Sequence, residues 1–487
     1  MTHVGTYLFL DRRLLQPQGM CDARLTVCPV QKDAANGALF GEDFFATPPR
    51  PWEVRFDNGY PNVIYDPQQK LYHCYYTLFW ADEDSAHTPK ALRAQRHYRP
   101  APGRRVGVAY ARSTDGVHWE KPDLGVVEFG GNRRNNLLST VAHGTGVMLD
   151  LYDPDPARRY KMVTKVDFAG QGKSHMAVNF SADGVHWGDM IPWPEHNPRA
   201  DSHNFPFYDP GSGLYRVMTR CWRDGVRVET SCESEDFLHW SEPREVLRGD
   251  GFERQIYAMP VFMSRGLYFG LAAVFHEGDR NAPEFDTVDC ELFYATEPDK
   301  FDAVASGQPF IRRGEGSYPT GAYDCGCIYA STPVDAGDRL WFYYMGGNGR
   351  HTDYRETSLA RGWLRKDRFA CYEPKKDGSP AVLTTAQLLL GEGPVTLTAD
   401  IAEGGYVRAS LRDAWNEAAL PGFAEEDCTL EKIGDGLYRF RFAGEVSALR
   451  ERPVCMALRF GGARLYALGG DVVLHAHRLW EGAAEKA

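Results

Sequence analysis

From Tyr65 the chain reads YDPQQKLYHCYYTLF. An Asp-Pro turn leads into an apolar run that opens on an aromatic residue, Tyr72. The phrase returns as YDPDPARRYKMVTKV from Tyr152 and YDPGSGLYRVMTRCW from Tyr208, and in looser form as MSRGLYFGLAAVF from Met263 and DAGDRLWFYYMGG from Asp335. The five aromatic anchors are Tyr72, Tyr160, Tyr215, Tyr268 and Trp341. Asp-Pro and Gly-rich turns between alternating apolar residues are hairpin signals. A second phrase follows three of the copies: STDGVHWEKP from Ser113, SADGVHWGD from Ser181 and SEDFLHWSEP from Ser234. Its tryptophans, Trp119, Trp187 and Trp240, recur at matched turn positions, so they are expected to pack between neighbouring sheets.

Each repeat thus holds about four strands, the content of a propeller blade. Five anchors predict an all-β chain with a five-bladed β-propeller over residues 52–377. The polar stretch 81–105, containing His and Arg, reads as a long rim loop, a kind of segment that is usually functional or mobile. Past Pro380 the rhythm shortens: VTLTADI, GYVRASLRD, CTLEKIGDGLYRFRF and PVCMALRF alternate in the manner of a β-sandwich. The sandwich is expected over 378–487, with its boundary at Gly378–Pro380. Residues 1–51 are expected to be lead-in strands packing on the propeller or the sandwich.

Composition limits the function. The 487 residues carry 55 Lys and Arg against 66 Asp and Glu, a net charge of −11. That balance argues against general binding to nucleic acid or anionic membrane. Aromatics make up 13% of the chain, which suits strands and sugar-stacking surfaces. No signal peptide or membrane-spanning run is expected, and the 11 irregularly spaced cysteines read as free thiols of a reducing cytoplasm. No HExxH, GxGxxG or P-loop supports a metal or a cofactor, so none is expected. The sandwich and lead-in could form a dimer surface, leaving a homo-oligomer open.

In a propeller, side chains at equivalent positions of different blades meet in one central funnel. Asp57 lies 15 residues before its anchor, Asp201 lies 14 before and Glu253 lies 15 before. Three acids at one address repel one another, a cost that function explains better than turn chemistry. Cleavage of a glycosidic bond needs such a set: an ionised nucleophile or base, a protonated acid, and a group that steadies an oxocarbenium-like transition state. His143 and Asp324 each lie 17 before their anchors. With Asn58, His203, Asn204, Arg220, Trp222, Gln255 and Tyr257 they are candidate contacts to a small carbohydrate.

Three motifs carry a family resemblance. FDNGYPNVIYD from Phe56, ADSHNFPFYD from Ala200 and FERQIYAMPV from Phe252 resemble the blade-1, blade-3 and blade-4 motifs of five-bladed propeller glycosidases. The families are glycoside hydrolase families 32, 68 and 43, especially the divergent branch beside family 32. SALRERPVCMALRFGGARLYAL from Ser447 is similar to the module that follows the propeller in family 32. The resemblance implies Asp57 as nucleophile or base, Asp201 as transition-state stabiliser and Glu253 as general acid. Glu229 and Glu291 are the rivals for the acid. It also implies hydrolytic release of a terminal sugar, a fructofuranoside or other furanoside, from a short glycoside. A sugar-binding propeller without catalysis, and a transglycosidase or glycoside phosphorylase on the same scaffold, remain open.

Overall fold

A computed structural model describes residues 4–168, 173–376 and 379–475. Gly378 of the expected boundary, and the ends of the expected lead-in and sandwich, lie outside the described residues. The chain is nearly all β. It divides into two compact units, one of Pro29–Leu364 and the other of Met1–Cys28 with Arg365–Ala487.

The larger unit is built from four-stranded groups, and no sheet closes on itself. The first three groups are separate antiparallel sheets. Group I comprises Asn62–Asp66, Leu71–Ala81, Arg105–Ser113 and Leu137–Ser139; group II comprises Ala142–Leu149, Tyr160–Val166, His175–Ser181 and Ile191–Pro192; group III comprises Phe205–Asp209, Leu214–Arg223, Val226–Ser234 and Arg244–Arg248. Groups IV and V belong to one larger sheet. In IV the long strands are Leu267–His276 and Val288–Ala295, and in V they are Arg339–Gly347 and Thr357–Arg365. The two meet through a single parallel pairing, Val288 with Cys327. The outermost strands of V, Gln31–Lys32 and Ala38–Gly41, come from the start of the chain.

The repeated residues are the joints between groups. Tyr160 donates its hydroxyl to Asp66 of the group before it. Tyr215 does the same to Asp150 (2.7 Å), and Tyr268 to Asp209 (2.6 Å). The tryptophans of the second phrase follow the same rule. Trp187 packs edge-on to Tyr75 of group I, Trp240 stacks on Trp193 of group II, and Trp119 packs edge-on to Tyr343 of group V. Tyr343 also donates to the Gly116 carbonyl (3.0 Å), so the last group contacts the first. Segments 63–65, 147–149, 205–208, 261–262 and 332–335, one from each group's first strands, line one cavity of about 480 Å³.

The smaller unit is a nine-stranded sheet around two long strands, Leu388–Asp413 and Val454–Leu474, paired from Val395 opposite Gly470 to Asp413 opposite Val454. Val4–Leu8 and Leu15–Cys21 of the lead-in join this sheet. Its core holds Leu397, Leu411, Met456, Leu458 and Leu468.

The Tyr215 joint is testable. Asp150 also holds the fully buried ammonium of Lys161 at 2.9 Å, so Tyr215→Phe removes one buried hydrogen bond without stranding the carboxylate. The expected loss is about 1–2 kcal/mol, read as a lower denaturation midpoint. An unchanged midpoint would mean that the joint does not stabilise the packing of group III on group II.

Candidate functional site

Every group of the larger unit sends at least one side chain to the same point. Tyr60 of group I stacks on His203 of group III (centroids 5.6 Å apart), lies edge-on to Tyr329 of group V (5.6 Å) and sits 6.2 Å from His143 of group II. Tyr329 in turn meets Tyr257 of group IV at 5.7 Å. The Arg220 guanidinium of group III lies 4.6 Å from the Tyr257 ring centroid. His351 of group V packs on Tyr257 and shares a hydrogen bond of 3.2 Å with the Tyr329 hydroxyl.

Asp57 stands at this point on a strained turn. Asp57, Gly59 and Tyr60 have φ of 56°, 69° and 40°, in the left-handed region where a side chain costs energy. A Cβ at Gly59 would sit 2.5 Å from Met345 Cγ, so the turn requires glycine there. Such strain concentrates at functional sites. Arg355 Nη2 donates to Asp57 Oδ1 (2.9 Å) and Asn58 Oδ1 (2.6 Å), and Arg55 Nε donates to Asp57 Oδ1 (3.2 Å). The Arg355 side chain is 0% exposed, whereas that of Asp57 is 25% exposed. Burial alone would raise the Asp57 pKa; the guanidiniums of Arg355 and Arg55 outweigh it and hold the carboxyl well below the usual carboxylate range. Asp57 is therefore an anion that a ligand can reach.

Asp201 lies nearer solvent. Its side chain is 57% exposed and pairs with Arg220, and its carbonyl is 3.2 Å from His143 Nε2. Burial lowers the pKa of His143, and both Asp57 and Asp201 oppose that shift, so the imidazole lies within the field of both acids. Burial brings His203 down to about 3, and its Nε2 bonds to Asn62 Oδ1 at 3.0 Å. These are neutral imidazoles at neutral pH.

Glu253 is exposed, with its side chain against Gly278 and no contact to Asp57 or Asp201 among the described residues. It immediately precedes the strand Arg254–Ala258, which carries Gln255 and Tyr257. Gln255 accepts from Arg227 Nη1 (2.8 Å), and Arg227 lies over Trp222 (4.6 Å). Glu229 is different. It pairs across the strands with Arg220, is 0% exposed, and neither carboxylate oxygen makes a hydrogen bond. Burial pushes its pKa well above the ordinary carboxylate value, and Arg220 and the Met259 amide, near it but outside hydrogen-bond geometry, only partly oppose this. Glu291 is bound to Arg254 at 2.5 Å.

Two expected contacts are structural. Asp324 is buried, holding Lys32 (2.5 Å) and Tyr344 (2.9 Å). Asn204 ties groups II and III by donating to the Gly144 carbonyl (2.8 Å). The sequence reading missed Arg55, Tyr60, Arg227, Tyr329, His351 and Arg355. The Gly-rich run GGNGRHTDYR from Gly346, directly after the fifth long strand, is the signal that pointed to two of them. Among the described residues, no cluster of three or more His, Cys, Asp or Glu side chains could hold a metal ion.

No family model matches the chain, and no curated protein matches it. Solved structures do. An N-acetylgalactosamine deacetylase from F. plautii, in complex with blood group B trisaccharide, is 14% identical with a TM-score of 0.45, over 71% of this chain and 96% of that one. A structure of the GH130 family of mannoside phosphorylases, which contains glycoside hydrolases that target β-1,2 mannosidic linkages in Candida mannan, gives 14% and 0.42, over 72% and 96%. A glycosyl hydrolase from Bacteroides ovatus gives 14% and 0.41, over 74% and 93%.

Proposed function

We propose that the chain is a glycoside hydrolase whose larger unit is a five-bladed propeller, with Asp57 as the anionic centre of its funnel. The observation that carries this reading is the convergence of side chains from all five groups on one reachable, ionised carboxylate. The cyclic contacts between successive groups, and the cavity lined by the first strands of all five, support the propeller. The two long strands of the smaller unit, wrapped on a common core, support a sandwich there.

Asp57 is a poor proton acceptor, because a base far below its operating pH transfers protons inefficiently. The clamp favours its action as a nucleophile, or as an anion facing the positive charge that builds on the sugar. Asp201 and Arg220 face the sugar hydroxyls beside it, and Tyr257 and Trp222 offer ring faces for stacking. Glu253 gives the proton to the leaving oxygen. Glu229 is the second reading for that role, because burial favours its protonated form; its burial behind Arg220 argues for a positioning role. The substrate is a short glycoside that loses a terminal sugar, and the furanoside assignment rests on the likeness of FDNGYPNVIYD to the blade-1 motif.

A panel of chromogenic glycosides tests this. On a responsive substrate Asp57→Asn should lower kcat by about 10³-fold or more; activity surviving in the variant removes Asp57 from the reaction. A sugar that binds but is never cleaved would make the chain a binding protein. Glu253→Gln and Glu229→Gln separate the acids. Glu253→Gln should lose activity on poor leaving groups and retain it on activated ones, whereas the reverse outcome transfers the role to Glu229.

Glu229 also makes a prediction about stability. Its folded pKa is raised, so the folded state loses stability relative to the unfolded chain as pH rises through that value. Glu229→Gln cannot ionise, so its melting temperature should gain on the wild type as pH rises above the ordinary carboxylate range. A pH-independent difference would show that Glu229 is not held neutral.

A further inference from the structure

The rim loop between Ala81 and Arg105 is unused by the reaction above. It forms two short helices, Glu83–His87 and Lys90–Arg93, and folds against the loop that carries Arg355. The Tyr98 amide donates to Asp353 Oδ1 (2.8 Å), and the Tyr354 hydroxyl donates to Asp84 Oδ2 (2.6 Å). Between these loops lies a cavity of about 350 Å³. Four arginines line it, Arg93, Arg96, Arg313 and Arg350, with Asp353 its one acidic side chain.

With Glu356 on Arg93, Asp289 on Arg313 and Asp353 beside the other two, the surroundings keep an excess of one positive charge in a chain whose net charge is −11. Arg93 and Arg313 are held in place by Glu356 (3.1 Å) and Asp289 (2.7 Å). Arg96 and Arg350 are exposed and, among the described residues, make no ion pair. Arg350 only leans on the Phe285 ring, 5.7 Å away. Two anchored and two uncommitted guanidiniums around a cavity of monosaccharide size are a recognition arrangement, because planar forks bind oxyanions bidentately.

We propose that this cavity is a second ligand site that takes a phosphoryl group, either free phosphate or the phosphate ester of a small sugar. The two oxygens of a carboxylate can serve only one of the uncommitted forks of Arg96 and Arg350, whereas the three terminal oxygens of a phosphoryl group can serve both. The site adjoins the clamp of Asp57. Arg355 Nη1 donates to the Arg350 carbonyl (3.3 Å), and Arg55 Nη2 donates to the Asp353 carbonyl (3.0 Å).

Calorimetric titration of the full chain with inorganic phosphate, glucose 6-phosphate and glucose, at low and moderate salt, tests the proposal. At least one phosphoryl probe should bind, glucose should not, and binding should weaken as salt rises. Arg96→Ala with Arg350→Ala should weaken it at least tenfold while leaving the melting temperature unchanged, since both residues are exposed. Arg227→Ala, at the Asp57 centre, should leave it unchanged. Equal affinity for the two phosphoryl probes identifies free phosphate as the ligand, and tenfold tighter binding of the ester identifies a sugar phosphate. Absence of binding at millimolar probe, or binding that is insensitive to the double variant or lost in Arg227→Ala, overturns the site. None of these readouts requires glycoside turnover, so they stand apart from the fate of the hydrolase reading.

Discussion

Asp57 and Arg355 are 298 residues apart and meet at 2.9 Å. One comes from the first group of strands and the other from the loop inside the last. The pair therefore fastens the two ends of the larger unit together at the point where the candidate chemistry sits. Other bonds share that seam: the Thr357 hydroxyl donates to the Asp57 carbonyl (2.7 Å), and the Val63 amide donates to Ser331 Oγ (2.9 Å). Removing a partner from a buried charge pair costs several kcal/mol, roughly 3–5, because the remaining charge is stranded. Arg355 is such a charge. Packing and electrostatics are one device here, and the anionic state of Asp57 depends on Arg355 of the last group reaching the first.

The same coupling explains the spread of protonation states. Arg355 and Arg55 surround Asp57 and keep it ionised. Glu229 is buried without a hydrogen bond, which pushes its carboxyl toward the neutral form, and burial keeps the hydrogen-bonded imidazole of His203 neutral. Environments within the larger unit thus hold one carboxyl as an anion and push another toward its neutral form. The glycoside reading draws its force from the reachable anion at Asp57 and not from the count of carboxylates.

The strand groups were legible because their joints repeat in the sequence. Tyr160, Tyr215 and Tyr268 stand out as anchors since each must reach an aspartate of the preceding group, and Trp119, Trp187 and Trp240 mark a second contact in the same direction. The outer strands of the fifth group were not legible, because Gln31–Lys32 and Ala38–Gly41 enter from the other end of the chain and carry no repeat. Counting from the anchors singled out Asp57 and Asp201, whose charges both reach His143 in the structure. It could not find Arg355 or His351, which sit in a loop of one group with no counterpart in the others. Nor could it tell that Asp324 is engaged by Lys32, or that Glu229 is sealed while Glu253 is open, because burial depends on which strand packs opposite.

The most direct test of the account is a crystal structure of the chain with a bound monosaccharide. The account predicts the sugar in the space bounded by Asp57, Arg220, Tyr257 and His351, with a ring hydroxyl or the anomeric carbon against the Asp57 carboxylate. A sugar seated elsewhere, with Asp57 closed off from it, would contradict the claim that five groups of strands converge to build a catalytic pocket.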